Sequence, residues 1–335
     1  MKIAIVGATG LVGQKMQAVM AERRIAAQAL LLAASEKSVG KTLTFNSEAL
    51  TVLSLEEVLK QKPEIALFSA GGATSKAWAE KFAAQGCFVI DNSSAWRLND
   101  NVPLVVPEIN SHTINANTRI IANPNCSTIQ MVMALAPLHK AYGLKRVVVS
   151  TYQSVTGSGM KGIHQLENER RGIEGERAYP HPIDLNLIAQ GGDFNADGST
   201  SEEQKLVDES RKILNAPKLR LSATVVRVPV YGGHSEAVNV EFENEFDLKT
   251  VRRLLEEMPG VVVQDKPEHN IYPTPLDGEG KDEVFVGRIR RDESQPKTLN
   301  LWIVSDNLRK GAATNAVQIA EYLIKNNLLK TSKSK

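Results

Sequence analysis

The segment KIAIVGATGLVG at residues 2–13 joins a short apolar run to three glycines spaced three residues apart, and an apolar face at helical spacing follows up to Met20. This order indicates a strand, a tight turn and a helix. Glycines in such a turn let the backbone approach a diphosphate, and the helix N-terminus offers it free N–H groups. The spacing is G-x-x-G-x-x-G rather than G-x-G-x-x-G, so the interpretation depends on the place of the turn after the first strand. A turn that serves packing alone is the alternative.

The same alternation continues downstream. Strands are predicted at 29–33, 64–70, 87–91 and 119–122, with a helix at 75–85. Near-continuous apolar strands that alternate with helices predict an α/β fold with a Rossmann-like, doubly wound parallel sheet covered on both faces.

The pattern changes after about residue 143. Longer runs, many of them alternating with polar residues, predict strands at 145–155, 219–230, 236–242, 284–290 and 298–304, separated by helices at 159–171, 201–214 and 247–258. This favours a second, α+β domain with a more antiparallel sheet. A final helix is expected at 309–327, and its apolar face is a candidate to pack against the first domain.

Composition excludes several classes of protein. The chain has 335 residues, 42% of them hydrophobic and 23% charged, which is typical of globular proteins and not of disordered ones. A net charge of +2 gives no support for nucleic-acid binding, and no stretch approaches the roughly 18 apolar residues of a membrane span. Two cysteines cannot form a disulfide framework and fit a reducing compartment, so a cytoplasmic location is expected.

The residues after the second predicted strand bear on the choice of cofactor. NAD enzymes usually hold the ribose 2′-hydroxyl with an acidic residue here, and Glu36 is the only acid nearby. Ser35, Lys37, Ser38 and Lys41 suit a 2′-phosphate better, because hydroxyl donors and cations bind a phosphate that a carboxylate repels. We therefore predict NADP. A solvated charged loop is the alternative.

Cys126 lies in NPNCST at residues 123–128, between a predicted strand and a predicted helix. A helix N-terminus stabilises a thiolate, so we expect the thiol pKa to lie below its ordinary value of about 8.5. Asn125 and nearby backbone amides are candidate donors to an oxyanion. A buried structural cysteine is the alternative, and Cys87, in an apolar run, is expected to be one.

His234 follows two glycines between two strand-like runs, where it is able to reach a cleft and to exchange protons near neutral pH. Arg227, seven residues earlier, is suited to a two-pronged contact with a carboxylate. For a histidine taken alone, a surface or satisfied core residue is the alternative. Histidines and cysteines do not occur at metal-ligand spacing, so no metal is predicted.

Seven motifs occur along the chain: GATGLVG at 7–13, DNSSAWR at 91–97, NPNCST at 123–128, YQSVTGSG at 152–159, SEEQK at 201–205, RVPVYGGHSE at 227–236 and SDNLRKGAATNAVQIAE at 305–321. Together they resemble the aspartate-β-semialdehyde dehydrogenase family over nearly the whole chain. The resemblance implies an NADP-binding domain at 1–125, to which 306–330 returns as a terminal helix, and a catalytic and dimerisation domain at 126–305. It also implies a homodimer, which in some members becomes a tetramer.

The resemblance implies site residues at matching positions. Expected in catalysis are Cys126 as nucleophile, His234 as acid and base, and Gln153 as the residue that positions substrate and thiol intermediate, with Asn125 beside them. Expected to bind the substrate are Arg227 at its carboxylate, Glu202 at its amino group, and Arg97 and Lys205 at phosphate. Expected cofactor contacts are Gly7, Thr9, Gly10, Leu11, Val12, Ser35, Lys37, Thr156, Gly157 and Asn315.

The reaction implied is reduction of L-4-aspartyl phosphate by NADPH to L-aspartate 4-semialdehyde and phosphate, through a cysteine thioester. Its place would be the biosynthesis of lysine, threonine, methionine and diaminopimelate. The alternatives are an N-acetyl-γ-glutamyl-phosphate reductase, a glyceraldehyde-3-phosphate-type dehydrogenase, or a catalytically inactive relative that acts as a binding partner. The last would be expected to lack the thiol or the histidine, and this chain has both.

Overall fold

The computed structural model describes residues 1–115 and 117–329, and these form two compact units. The first unit is Met1–Pro124 together with the chain from Ala312 onward, and the second is Asn125–Gly311. The sequence predicts domain boundaries at 125/126 and 305/306. The first lies one residue after the boundary between these units, and the second lies six residues before it. Residue 330 of the expected terminal helix lies outside the described residues.

The first unit is built on a seven-stranded sheet with the order β3-β4-β2-β1-β5-β6-β7. Its strands are β1 Lys2–Val6, β2 Ala29–Ala33, β3 Thr42–Phe45, β4 Glu48–Leu53, β5 Ile65–Phe68, β6 Phe88–Asp91 and β7 Ile120–Ala122. Among the described strands of this sheet, β3 and β4 pair antiparallel and the other pairs are parallel. The helices are α1 Leu11–Glu22, α2 Leu55–Lys60, α3 Gly72–Ala84, α4 Pro107–Asn110 and the terminal helix Thr314–Lys325. The parallel doubly wound sheet predicted from the sequence is thereby confirmed.

Both faces of this sheet are buried, because alternate side chains of the central strands enter separate clusters. Ile3 and Ile5 pack with α1 and with the terminal helix, where Val317 and Leu323 are fully buried. On the other face Phe68 meets Phe82 of α3 edge to face, with ring centroids 5.4 Å apart. The apolar face of the terminal helix therefore completes the core of the first unit.

Two features of this unit differ from the sequence-based expectation. The pair β3 and β4 was not predicted, because its short strands carry Thr and Glu and are largely exposed. The final helix was predicted from 309, but Arg309–Ala313 form a wider π-helical turn and the α-helix begins at Thr314. The spacing of apolar residues does not distinguish a π-helical turn from a turn of α-helix.

The second unit contains a six-stranded sheet with the order β11-β12-β13-β10-β8-β9. Its strands are β8 Leu144–Gln153, β9 Arg220–Arg227, β10 His234–Phe242, β11 Val261–Val263, β12 Val284–Arg291 and β13 Thr298–Ser305. Its helices are α5 Cys126–Tyr142, α6 Gly159–Arg170, α7 Ser201–Ile213, α8 Leu248–Glu256 and α9 Pro275–Gly278. Three of the five strand pairs are antiparallel, which confirms the expected α+β character.

Helix α5 is apolar over most of its length and buries ten of its seventeen residues. It contacts β8, β10 and β13. Val147 and Val149 of β8 are buried, as are Val238 and Val240 of β10, and the residue between the two valines of each strand is only partly buried. Packing of α5 on this sheet fixes where its first residue, Cys126, lies. Among the described residues, no helix is long and apolar enough to cross a bilayer.

Candidate active site

Three expected site residues lie at one edge of the second sheet. Strands β8 and β9 are parallel and end in register at Gln153 and Arg227. Strand β10 runs antiparallel to β8 and begins at His234, next to the pairing of Ser235 with Tyr152. The carboxyl ends of β8 and β9 and the amino end of β10 therefore meet at the same edge, although up to 81 residues separate them in the sequence.

Cys126 is the first residue of α5 and is half-buried. Asn125 is the N-cap: its Oδ1 accepts a hydrogen bond from the backbone N–H of Ser127 at 3.0 Å and lies 4.0 Å from Cys126 Sγ. The expected position of the thiol at a helix N-terminus is thus present. Cys87, in contrast, is fully buried, and burial raises the pKa of its thiol far above the ordinary range.

Two acids of α7 hold Asn125 in place. Glu209 accepts the backbone N–H of Asn125 at 2.6 Å, and Glu202 accepts from its side-chain amide at 2.7 Å. Both acids lie on one helix face, since they are seven residues apart. One amide N–H of Asn125 is therefore already engaged. Its expected role as oxyanion donor stays a prediction.

Glu202 is the centre of a charged group. It forms an ion pair with Lys205, three residues along α7. Burial alone would raise the pKa of Glu202, but the charges of Lys205 and Arg227 and the hydrogen bond from Asn125 outweigh it and leave the pKa below its ordinary value. Glu202 therefore remains ionised and presents negative charge beside Arg227.

Gln153 is fully buried at the end of β8. Its Nε2 donates to Ser127 Oγ at 2.9 Å, which ties the end of β8 to the first turn of α5. Its Oε1 has no hydrogen-bond partner within the described chain. A buried carbonyl of this kind is an acceptor available to a bound molecule.

Arg227 also has a buried polar atom without a hydrogen-bond partner among the described residues. Its side chain is largely buried, and its Nη1 has no hydrogen-bond partner among the residues that the structure describes. A Cβ placed on Gly157 would lie 2.7 Å from this nitrogen and 3.2 Å from His234 Nε2. Gly157 therefore approaches both groups so closely that a side chain at this position would collide with them.

His234 is fully buried. The backbone N–H of Ser154 donates to its Nδ1 at 3.1 Å, and no described residue bonds its Nε2. Burial, with the charge of Arg227 adding to it, lowers the pKa of His234 well below its ordinary value. The ring is neutral at neutral pH.

In the first unit, the glycine turn has the geometry that the sequence predicts. Gly7 adopts a φ of +87°, and a Cβ there would lie 2.3 Å from the carbonyl oxygen of Ser69. A Cβ at Gly13 would lie 2.1 Å from Gly7 O, so helix α1 packs directly on the turn. Gly10 is the N-cap of α1 and has no side chain to occupy the helix N-terminus. The turn is therefore a backbone cradle suited to a diphosphate.

The other expected contacts in this unit have different settings. Thr9, Leu11 and Val12 are half-buried at the start of α1. Ser35 and Lys37 are exposed directly after β2, at the same sheet edge as the glycine turn because β1 and β2 are parallel.

Arg97 and Asn315 are bound mainly within the first unit. Arg97 is largely buried and donates to the carbonyl oxygens of Asn123 at 2.9 Å and Asn92 at 3.0 Å. Asn315 is fully buried, and its amide donates to Val105 O and Asn123 Oδ1. Their contacts with phosphate and cofactor stay predictions.

Thr156 and Gly157 belong to the second unit, in the turn Val155–Ser158 after β8. In that unit, sequence reasoning did not single out Ser127, Ser154, Glu209 and Asn307. Glu209 had a visible signal, its seven-residue spacing from Glu202. Ser154 and Asn307 lie within two of the motifs, but nothing in the sequence pairs them, because they meet only through a tertiary contact, 3.0 Å between Ser154 Oγ and Asn307 Oδ1. No group of three metal-ligating side chains was found in the described ranges, 1–115 and 117–329.

Comparison with known proteins agrees with this architecture. Residues 2–117 match the NAD binding domain of semialdehyde dehydrogenases, and residues 135–310 match their dimerisation domain. The two units therefore define the class of semialdehyde dehydrogenases.

Among the relatives, the aspartate-semialdehyde dehydrogenase of Aquifex aeolicus is 50% identical over 98% of this chain and 99% of its own, and that of Bacillus subtilis is 44% identical over 98% of both. The crystal structure of aspartate semialdehyde dehydrogenase II from Vibrio cholerae, also solved complexed with ASA, is 46% identical. It superposes with a TM-score of 0.93 over 97% of this chain and 98% of that one. The chain belongs to the aspartate-semialdehyde dehydrogenase family.

Proposed function

We propose that this protein is an NADP-dependent aldehyde dehydrogenase (phosphorylating). It reduces L-4-aspartyl phosphate to L-aspartate 4-semialdehyde and phosphate, and phosphorylates the semialdehyde in reverse. The observation that carries the proposal is the gathering of one half-buried thiol at a helix start with Gln153, Arg227, His234 and Glu202. The product serves the biosynthesis of lysine, threonine, methionine and diaminopimelate.

Each residue has a separate task in this reaction, and His234 acts as the acid and base. The Cys126 thiolate attacks the acyl carbonyl carbon, which forms a thioester and releases phosphate. Arg227 pairs with the substrate carboxylate, and ionised Glu202 attracts the substrate ammonium group. Gln153 holds the reacting carbonyl group near Ser127 and the thiol. The nicotinamide, when bound, supplies the hydride. Lys205 and Arg97 attract the phosphate.

The charge arrangement distinguishes the two acyl phosphates under consideration. Glu202 stays negative beside Arg227, which suits a substrate that carries an ammonium and a carboxylate on one carbon. N-acetyl-γ-glutamyl phosphate has an acetylated nitrogen and no positive charge, so Glu202 would gain nothing from it. This favours aspartyl phosphate over the N-acetylated alternative.

The cofactor and assembly follow from the same features. The turn around Gly7 and Gly13 fits a diphosphate, and exposed Ser35 and Lys37 are placed at the sheet edge where a 2′-phosphate would lie. NADP is therefore the cofactor, and the first unit binds it. The second unit carries catalysis and dimerisation, so the enzyme is a homodimer. Neither of its two cysteines is in a disulfide, which fits a cytoplasmic location.

One assay tests the proposal. L-aspartate 4-semialdehyde is added to enzyme and NADP, with and without phosphate, and reduced cofactor is followed; NAD and N-acetyl-glutamate 5-semialdehyde are the comparison cofactor and substrate. We expect turnover that requires phosphate and prefers NADP and the aspartate compound.

Cys126→Ser should lower this rate by roughly a thousandfold or more, because the hydroxyl is a far weaker nucleophile. Cys87→Ala is the matched control, since that thiol is buried in the first unit, and it should keep most of the rate. Substantial turnover by Cys126→Ser, or none by the wild type, would refute the proposed function.

A further inference from the structure

The inference concerns the contact between Gly311 and Cys126, and it rests on the proposed function. Gly311 is a buried residue of the second unit and lies in the π-helical turn Arg309–Ala313. A Cβ placed on Gly311 would lie 2.8 Å from Cys126 Cβ and 3.3 Å from Cys126 Cα. The φ of Gly311 is not positive, so its backbone conformation does not demand glycine. The constraint on this position is the close approach to the cysteine.

The cysteine side chain is unable to turn away from this contact. Rotation about the Cα–Cβ bond moves the sulfur of a cysteine but leaves its Cβ in place, because the backbone fixes the Cβ. A separation of 2.8 Å is well inside the roughly 3.5–4.0 Å that two carbon atoms prefer. A methyl group at position 311 therefore fits only if the main chain moves, either in the π-helical turn or at the start of α5.

The start of α5 is held by hydrogen bonds from two other elements. Helix α7 holds Asn125, through Glu209 at 2.6 Å and Glu202 at 2.7 Å. Strand β8 holds Ser127, because Gln153 Nε2 donates to its hydroxyl at 2.9 Å. The residues on both sides of the nucleophile are thus tied down, and a shift of this segment would break or stretch buried hydrogen bonds.

The π-helical turn is held as well, mainly by Asp306. Its Oδ1 accepts the backbone N–H groups of Leu308 at 2.8 Å and Arg309 at 3.0 Å, and its Oδ2 accepts that of Gly280 at 2.9 Å. Its carbonyl oxygen accepts the N–H of Gly311 at 3.1 Å. That bond joins residues five apart, which is the spacing of a π-helix, and such turns occur frequently at functional sites. Both sides of the contact are therefore anchored.

We propose that Gly311 is a positioning residue for the reaction: its backbone is a fixed stop for the Cβ of Cys126 and so sets the point from which the sulfur attacks the acyl carbon. The three atoms nearest to a Cβ at position 311 belong to Cys126 and Asp306, and none belongs to Arg227 or Glu202. A change at this position should therefore affect the chemical step more than substrate binding. Displacing a reacting atom by about 1 Å costs roughly a hundredfold in rate.

Gly311→Ala tests the proposal by steady-state kinetics with the semialdehyde, phosphate and NADP. Because the thiol is displaced, kcat should fall roughly ten- to hundredfold, whereas KM for the semialdehyde should stay within about threefold. Gly278→Ala is the matched control. Gly278 is also a buried glycine of the second unit without a positive φ, and a Cβ there would lie 3.2 Å from Val304 Cγ1. The control therefore strains the packing but not the cysteine, and it should keep its kcat. An unchanged kcat in Gly311→Ala, or a loss confined to KM, would overturn the proposal.

The second test needs neither substrate nor cofactor, so its result is separate from the test of the proposed function. It measures how fast iodoacetamide alkylates Cys126 at pH 7 in Cys87→Ala, with and without Gly311→Ala. A sulfur moved from the start of α5 loses the stabilisation that the helix N-terminus gives its thiolate, so the rate should fall roughly threefold or more. A decrease of less than about twofold, or any increase, would contradict the proposal.

Should Gly311→Ala fail to fold, Asp282→Ala decides the question. Arg309 Nε donates to Asp282 Oδ1 at 2.8 Å, and the aspartate is only partly buried, so its loss loosens the π-helical turn without adding an atom near the thiol. We expect kcat to fall roughly threefold with KM unchanged. Asp184→Ala is the matched control, since Asp184 accepts from Arg170 Nε at 3.0 Å and is also partly exposed. Equal kcat values in the two variants would refute the positioning role.

Discussion

At the scale of single residues, the site is defined by polar atoms that the fold buries and leaves without a partner. Arg227 Nη1, Gln153 Oε1 and His234 Nε2 are such atoms, and all belong to the second unit. Leaving a buried donor or acceptor unpaired costs about 1–3 kcal/mol. Three of them at one sheet edge therefore indicate a site completed by its ligand rather than a structural network.

Arg227→Lys tests whether the guanidinium contributes by shape as well as charge. Lysine keeps the charge but loses the two-pronged contact, so KM for the semialdehyde should rise roughly ten- to hundredfold with a smaller change in kcat. Arg220→Lys is the control, since Arg220 is exposed at the opposite end of β9. Steady-state kinetics measure both constants. An unchanged KM for Arg227→Lys would show that Arg227 does not make the two-pronged contact with the substrate carboxylate.

At the scale of elements, the turn Val155–Ser158 connects the end of β8 to the site. It begins directly after Ser154, and Gly157 brings its backbone against both Arg227 and His234. No side chain fits there, because a Cβ would lie within 2.7 Å of the guanidinium. The glycine is needed for close approach and not for an unusual φ, since its φ is not positive.

Gly157→Ala should therefore push Arg227 and His234 out of place. We expect activity to fall by roughly tenfold or more, and the urea midpoint to fall as well, because both displaced side chains are buried. Gly72→Ala is the matched control, since a Cβ there meets nothing closer than 4.0 Å. Normal kinetics for Gly157→Ala would show that the side chains adapt without loss.

At the scale of the whole molecule, the dependence of stability on pH reflects buried ionisable groups. Glu236 is fully buried on β10, facing α5, and neither carboxyl oxygen has a hydrogen-bond partner in the part of the chain described. Burial raises the pKa of Glu236 well above its ordinary value, and Gln130 opposes this only in part. The folded protein therefore keeps Glu236 protonated where the unfolded chain ionises it.

The raised pKa of Glu236 makes the protein less stable at higher pH. Above an unfolded pKa of 4.5 the unfolded chain binds fewer protons at this site, so the stability due to Glu236 falls as pH rises toward its folded pKa. Glu236→Gln removes this penalty. Its free energy of unfolding should exceed that of the wild type by an amount that grows about 1.4 kcal/mol per pH unit above 4.5 and vanishes below it.

Urea unfolding at several pH values measures this difference. Glu241→Gln is the control with the opposite sign: its hydrogen bond from Lys145, on the other sheet face, lowers the pKa of Glu241, so that variant should lose stability at neutral pH. His234 has a lowered pKa, which costs stability below pH 6.5, but it is common to all these proteins and cancels. A difference for Glu236→Gln that is flat with pH would contradict the prediction.

Most of the fold was predictable from local pattern. Apolar runs at β1, β2, β5 and β6, and the glycines at 7, 10 and 13, specify strands and a turn through forces that act within a few residues. The β3–β4 pair was not predictable, since its strands are short and exposed and depend on their neighbours. The start of the terminal helix was also missed, because an apolar face looks alike in a π-helical turn and an α-helix.

The sequence by itself determined the two kinds of sheet, the diphosphate cradle and the identity of the thiol, histidine and arginine, because these depend on composition, spacing and motif. Only the tertiary structure decided the complete burial of His234 and the hydrogen bond between Glu209 and the backbone N–H of Asn125. It also decided the close approach of the Gly157 backbone to Arg227. Hydrogen bonds and close contacts between residues 70 or more positions apart have no local signature, since they arise only when packed helices and strands bring those atoms within about 3 Å.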